Sequence, residues 1–370
     1  MRFICGKSDF SEAVNTVSKA VNTTAAVDIL KGIKIEAGDH IKLTGSDMDF
    51  SIECIMPADV REEGSIVLDS RILTDIVRKL PDGDIEIFTG ENNEIKIICK
   101  KTNFNLLYLS SESYPDINKI YEGDKFSMYS RDLKEIIKNT LFAISKSDAR
   151  PILKGSKFEI EKSSLKVVSI DGTRLAIRNM IIPETNLNIS FVVPGRVLDE
   201  LLKVLKDDET IVNITVCDNT IMFAYDTFII TARLLEGEFF DYTKAIPKSA
   251  DITAVIDVKK FISLVERAAI IENYDNAKEA KVSVILKLDN SMLNVECVSQ
   301  KGLFSESIDV EHHGKSIRIG MDSKILLDAL KNIEFDEALF EFTTEISPCV
   351  IKPTEGDAFL YMVLPKRLIN

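Results

Sequence analysis

Residues 71–80 read RILTDIVRKL, and the same helix-sized pattern returns as RVLDELLKVL at 196–205 and as KILLDALKNI at 324–333. The three stretches align without a gap at offsets of 125 and 128 residues. Apolar residues fall at i, i+1, i+4, i+5 and i+8, counted from Ile72, Val197 and Ile325. That spacing predicts an amphipathic helix with one buried face. Basic residues recur seven apart, as Arg71 with Arg78, Arg196 with Lys203 and Lys324 with Lys331. At 3.6 residues per turn each pair shares a stripe opposite the apolar one, about 10 Å apart along the axis. A chain of 370 residues is long for a single core, and the repeat divides it into three units, expected at 1–122, 123–250 and 251–370.

Working outward, each unit is expected to hold a second helix, at 8–20, 131–145 and 258–271, and several strands. Runs such as DIEIFTG, NEIKIICK, NITVCDN and TIMFAYD alternate with the period of two that marks half-buried strands. Turn residues separate them at Asp82-Gly83, Asn92-Asn93, Asp218-Asn219 and Asp289-Asn290. Units one and two also share Ile-Leu-Lys-Gly, at 29–32 and 152–155. Strand-rich units with two helices each read as α+β with antiparallel sheet. Three in a row form an arc, or by self-association a ring.

Hydrophobic residues make up 45% and charged residues 28% of the chain, a composition that folds rather than staying disordered. The start, MRFICGKSDFSEAV, has no continuous apolar segment, and no run approaches the roughly 18 apolar residues of a membrane span, so a cytoplasmic protein is expected. Six cysteines stand singly, mostly inside strand-like runs, and read as small buried hydrophobes in a reducing compartment.

The net charge is −13, yet the six helical segments together carry +7, which leaves −20 for the remainder. Cationic helices within an acidic shell suit a protein that holds a polyanion in one place and repels it elsewhere. The pairs Arg131 with Lys138 and Lys260 with Arg267 extend the seven-residue pattern to two of the first helices, whereas the earliest sets Glu12 against Lys19. One such helix is ordinarily a solvated face; recurrence against an acidic background is what gives the pattern weight. Asp75, Glu200 and Asp328 moderate the field, which is compatible with sliding, since phosphate contacts carry no sequence information.

Motifs for chemistry are absent. Gly6-Lys7-Ser8 and Gly314-Lys315-Ser316 lack the upstream glycine of a phosphate loop, with Met1 and Asp309 in its place. Asp47 and Asp49 read as a turn rather than as paired metal carboxylates, and Asp82-Gly83-Asp84 lacks the other ligands of a calcium loop. His40, His312 and His313 read as surface turn residues without a catalytic partner. No enzyme, metal or cofactor is expected. An enzyme built on Asp47, Asp49 and Asp171 would require metal-dependent turnover.

The segments 149–155 (ARPILKG), 171–176 (DGTRLA), 235–242 (LEGEFFDY), 347–351 (SPCVI) and 361–368 (YMVLPKRL) together resemble the beta subunit of bacterial DNA polymerase III, the sliding clamp, and the resemblance runs from end to end. It implies three clamp domains per chain and a head-to-tail homodimeric ring with helices lining the hole. It implies a processivity factor without chemistry, which encircles duplex DNA irrespective of sequence and tethers the replicative polymerase, the clamp loader and other partners. The basic stripes would then face DNA through Arg71, Arg78, Lys138, Arg150, Arg196, Lys203, Lys260, Arg267, Lys324 and Lys331.

The resemblance further implies a partner-peptide pocket between the second and third domains, at Leu153, Ile170, Gly172, Thr173, Leu175, Phe240, Ala245, Met362, Leu364, Pro365 and Arg367. It places the ring seam at Phe104 and Leu106 on one side and Ile270 and Ile271 on the other, with Lys101 at the rim. Three pocket positions depart from the family, which usually has Thr at Ile170, His at Thr173 and Pro at Phe240. Residues Ile369 and Asn370 follow the family's usual Arg-Leu ending. An arginine of the family is lost from the segment 24–30, while Arg150 keeps its counterpart. A peptide-binding scaffold of three repeats that never meets DNA is the alternative.

Overall fold

The computed structural model describes residues 1–117, 120, 122–274, 284–300 and 302–368. Ile369 and Asn370 lie outside the described residues. The six helices are α1 (Lys7–Val17), α2 (Ser70–Lys79), α3 (Ser130–Leu141), α4 (Gly195–Val204), α5 (Val258–Tyr274) and α6 (Ser323–Leu330). Two helices therefore fall to each repeat. Asp69 caps α2, accepting a hydrogen bond from the Ile72 N–H at 2.9 Å, and Asp322 caps α6 through the N–H groups of Lys324 and Ile325. Arg78 and Lys79 occupy the last turn of α2, Lys138 that of α3 and Lys203 that of α4, where cations complement the negative helix end.

The buried stripe is narrower than the periodicity predicts. Leu73, Ile76 and Val77 of α2 are buried together with Leu80, but Ile72 is 49% exposed. Val197, at the same place in α4, is buried, so the repeats share the pattern without sharing every buried position. The histidine reading also needs correcting in part. His312 and His313 lie on a short strand, Glu311–His313, paired with Ile252–Asp257.

The chain partitions into two compact units, residues 1–134 with 199–234 and residues 135–198 with 235–370. The first holds a five-stranded sheet in the order Asp59–Glu62, Arg2–Gly6, Asp84–Thr89, Glu94–Cys99, Thr102–Leu107. It also holds a nine-stranded sheet in the order Leu109–Ser110, Gly64–Asp69, Gly32–Ala37, Ile41–Ser46, Phe50–Met56, Phe228–Arg233, Thr220–Tyr225, Ile211–Cys217, Asp124–Tyr129. The second unit repeats the scheme. Its nine-stranded sheet runs Asn188–Pro194, Gly155–Glu161, Ser164–Ile170, Arg174–Ile181, Phe359–Val363, Cys349–Lys352, Glu337–Phe342, Ile252–Asp257, Glu311–His313. Its four-stranded sheet runs Gly302–Asp309, Met292–Ser299, Val284–Asp289, Ile317–Met321.

Each nine-stranded sheet is continuous across a boundary between sequence repeats. Phe50–Met56 pairs antiparallel with Phe228–Arg233, with Ala232 opposite Phe50. Arg174–Ile181 pairs antiparallel with Phe359–Val363, with Val363 opposite Arg174. The turns before the two repeat-equivalent strands match as well. Asp47 accepts hydrogen bonds from the N–H groups of Asp49 and Phe50, and Asp171 from those of Thr173 and Arg174. Met48 and Gly172 occupy the same left-handed position, at φ of 83° and 92°. Asp47 and Asp49 thus form the turn expected of them.

Five of the six cysteines are buried and Cys217 is half-buried, all as free thiols. Burial pushes the Cys54 thiol up to about 11, so it stays protonated and packs as a small hydrophobe. No helix among the described residues is long and apolar enough to cross a membrane.

Candidate functional site

The ten cations divide according to their neighbours. Arg78 lies 3.8 Å from Asp75, Lys260 3.4 Å from Asp257, and Lys331 2.7 Å from Glu266. Lys203 is held by Asp199 at 2.7 Å and Glu200 at 3.0 Å, which raises its pKa. Arg267 is clasped at 2.6 Å by Glu306 of Gly302–Asp309. Arg71 donates to the neutral Thr23 hydroxyl at 3.0 Å, and Arg196 also has an interaction partner. Lys138, Arg150 and Lys324 are exposed and have no acidic partner among the described residues. All ten reach the surface; these three have no acidic partner there, Arg71 has only a neutral hydroxyl, and five of the others are paired with carboxylates.

The residues expected to form the peptide pocket converge within the second unit. Leu153, Ile170, Leu175 and Met362 belong to one buried apolar cluster with Val168, Ile177, Tyr242 and Val350, and Ala245 packs against it. The sheet sets the floor: Ile170 lies opposite Leu175, and Leu175 opposite Met362. Leu364 is tied beside this floor by its N–H, which donates to the Thr173 carbonyl at 2.9 Å. Gly172 leaves open space where a side chain would stand. Phe240, Thr173, Leu364 and Arg367 are exposed and Pro365 half-buried, so they surround an apolar floor without filling it. Lys366, which sequence reading passed over, holds the segment down: its N–H donates to the Gly320 carbonyl at 2.8 Å and its ammonium meets Asp322 at 2.8 Å.

Beside the floor, Arg174 reaches Asp171 at 2.9 Å and Asp328 of α6 at 2.5 Å, and lies over the Phe142 ring. Arg178, on the same strand and 4% exposed, binds Glu135 of α3 and, at 3.4 Å, Glu334. Its Nε and Nη1 have no hydrogen-bond partner among the described residues. Burial first, then the Glu334 carboxylate, raise the pKa of Glu135. An acid whose pKa is raised on folding costs stability once the pH passes its unfolded value, near 4.5. Glu135→Gln, with Glu334 left to face Arg178, is therefore expected to raise the unfolding midpoint at pH 7, with the gain shrinking towards pH 4. Arg178→Met leaves two carboxylates facing each other and is expected to cost about 3 kcal/mol. Thermal unfolding of both variants across that pH range checks the pair.

The residues expected at a seam lie on two sheet ends. Phe104 and Leu106 are on Thr102–Leu107, which ends the five-stranded sheet, and Lys101 sits in the turn before it. Ile270 and Ile271 are on α5, which packs against Gly302–Asp309, the end strand of the four-stranded sheet. Phe104, Leu106 and Ile271 are half-buried, while Ile270 is 54% exposed. Sequence reading missed the most exposed apolar side chains of these ends, Leu107 at 75% and Leu303 at 68%. Each is the outward member of an alternating strand, a position that reads as ordinary surface until the sheet order is known.

Three strand-and-helix repeats, joined through shared antiparallel sheets and carrying exposed cations on their helices, have the architecture of the three-domain clamp fold. Comparison with known proteins agrees along the whole chain. Family models for the N-terminal, central and C-terminal domains of the DNA polymerase III beta subunit match residues 1–118, 127–241 and 243–367. The beta sliding clamp of Halalkalibacterium halodurans is 34% identical over 99% of this chain and 100% of its own length. The crystal structure of the DNA polymerase sliding clamp from Bacillus subtilis superposes with a TM-score of 0.95 at 31% identity, and that of a putative DNA polymerase III beta subunit from Eubacterium rectale with 0.94 at 33%, each over the full length of both chains. The chain belongs to the DNA polymerase III beta subunit family, and its function is that of a DNA sliding clamp that confers processivity on replication.

Proposed function

We propose that two copies of the chain close head to tail into a ring around duplex DNA, with three domains contributed by each copy at about 1–122, 123–250 and 251–370. The observation that carries this is the pairing rule of the repeats. Phe50–Met56 of the first repeat takes the last strand of the second, and Arg174–Ile181 of the second takes the last strand of the third. The repeat-equivalent strand of the third, Gly302–Asp309, ends its sheet, and so does Thr102–Leu107, the strand of the first repeat equivalent to Phe228–Arg233. Each is an open edge with unpaired N–H and C=O groups, flanked by Leu303, Leu107 and Ile270. A head-to-tail pair of copies satisfies both edges twice and closes.

The two observed junctions also supply a register. Transferred by repeat position, it sets Thr102 opposite Glu306 of the second copy, Asn103 opposite Ser305 and Phe104 opposite Phe304. Asn103→Cys combined with Ser305→Cys is therefore expected to give a covalent dimer on oxidation, seen on a non-reducing gel, because residues opposed across antiparallel strands meet the spacing a disulfide needs. Asn103→Cys combined with Ser307→Cys is expected to stay largely uncrosslinked. The reverse ranking would refute this seam.

Within such a ring the helices and the loop at Arg150 carry the contacts to DNA, led by Lys138, Arg150 and Lys324, and the carboxylate-paired cations exchange between those carboxylates and passing phosphates. The apolar floor at Leu153, Ile170, Leu175 and Met362, lipped by Leu364 and Phe240, takes apolar side chains from peptides of the polymerase, the clamp loader and other replication and repair proteins. Topological linkage turns their rebinding into a local event at high effective concentration. No chemistry is assigned to the chain, and the activity belongs in the cytoplasm, with the replication machinery.

A further inference from the structure

We infer that the first unit carries a second peptide-binding pocket, the repeat counterpart of the one described above, built for a neutral polar side chain instead of an apolar one. It rests on the reading that the second unit's pocket binds peptides. A cavity of about 160 Å³ lies where Phe50–Met56 meets Phe228–Arg233, with Pro115 and Asp116 on its far side. Superposing the repeats by strand register, Ser46 stands where Ile170 does, Ser51 where Leu175 does, and Thr231 where Met362 does. The Tyr-Pro-Asp of 114–116 likewise takes the place of the Phe-Phe-Asp of 239–241.

The frame is kept and the polarity of the floor reversed. Ser46, Ser51 and Thr231 line up across three adjacent strands, Ser46 opposite Ser51 and Ser51 opposite Thr231. All three are at least nine-tenths buried. Ser46 is satisfied by the Phe50 carbonyl and the Met48 N–H. The hydroxyls of Ser51 and Thr231 have no hydrogen-bond partner among the described residues, although both line the cavity. Hydroxyls that face a cavity and make no bond within the protein can each donate to or accept from a ligand, so a group that supplies both a donor and an acceptor engages the two together.

The floor contains no charged group, so a buried charge would find no counterion there. At the mouth Asp49 and Arg233 pair at 3.3 Å, and the remaining charged lining residue, Asp116, is exposed to solvent above the floor. A carboxamide fits these conditions, since hydroxyls serve either role and an amide offers both. The volume admits one side chain, which indicates an extended peptide with a glutamine or asparagine anchor.

The test uses the full-length protein with methyl labels, titrated separately with N-acetylglutamine N-methylamide and N-acetylleucine N-methylamide. The glutamine compound is expected to shift the Thr231 and Ala232 methyl resonances, and the leucine compound those of Leu175 and Met362. Ser51→Ala with Thr231→Val, or Ser51→Ala alone, is expected to weaken the glutamine response at Ala232 at least tenfold and leave the leucine response unchanged. Equal shifts of Ala232 by both compounds, no shift by the glutamine compound, or an undiminished response in the variants would overturn the inference. A missing leucine response at Leu175 and Met362 would instead overturn the second unit's pocket.

Discussion

Removing residues 364–370 is expected to abolish measurable binding of a partner peptide while the protein still sediments as a dimer. Leu364 closes the apolar floor and is fixed to Thr173 by its own N–H, and Lys366 anchors the segment to Gly320 and Asp322. An anchor of this kind typically accounts for 2 kcal/mol or more, so the truncation should weaken binding by at least about thirtyfold. Leu364→Ala, which keeps the backbone contact and the Lys366 anchor, should cost about tenfold. Peptide titration with solution mass measured in parallel decides the matter. Undiminished binding by the truncated protein would move the pocket elsewhere, and loss of the dimer would show that the segment serves the seam.

Serine at Lys138, Arg150 and Lys324 is expected to shorten the residence of the loaded protein on circular DNA about tenfold at physiological salt. Three charges per chain are six per ring, so the salt dependence of retention should flatten by up to about five in its logarithmic slope if all six meet phosphate. Serine at Lys203, Lys260 and Lys331 removes the same formal charge but should have the smaller effect, because each already faces a carboxylate within 3.4 Å. At about 0.15 M salt, screening over roughly 8 Å leaves direct contacts dominant. The comparison at matched ionic strength isolates the effect of pairing, and equal losses from the two triple variants would show that overall field matters more than individual contacts.

That distinction was not available from the chain's periodicity. The seven-residue spacing locates the cations correctly on exposed helix surface, because i and i+7 share a stripe whatever the fold. It cannot say that Glu266 lies beside Lys331 or that Glu306 clasps Arg267, since those partners come from elements far away in sequence. Ile72 shows the same limit at the core, because it satisfies the apolar pattern yet looks outward while Val197 at the matching position is buried. The repeat itself was plain from 71–80, 196–205 and 324–333. The continuation of one sheet across each repeat boundary was not, because alternation marks a strand without naming its neighbour. The peptide floor was legible chiefly through family resemblance, since Leu153, Ile170, Leu175 and Met362 are ordinary core residues until the sheet register brings them together. The hydroxyl row at Ser46, Ser51 and Thr231 became visible only from that register.

The central claim is that the chain holds DNA by enclosing it. Labelled protein is loaded by its clamp loader onto nicked circular DNA, its retention is measured, and the circle is then cut at one site. Release on cutting, from a preparation that stays bound to the intact circle, is the predicted result; retention unaffected by cutting would contradict enclosure and mean that the protein grips DNA directly.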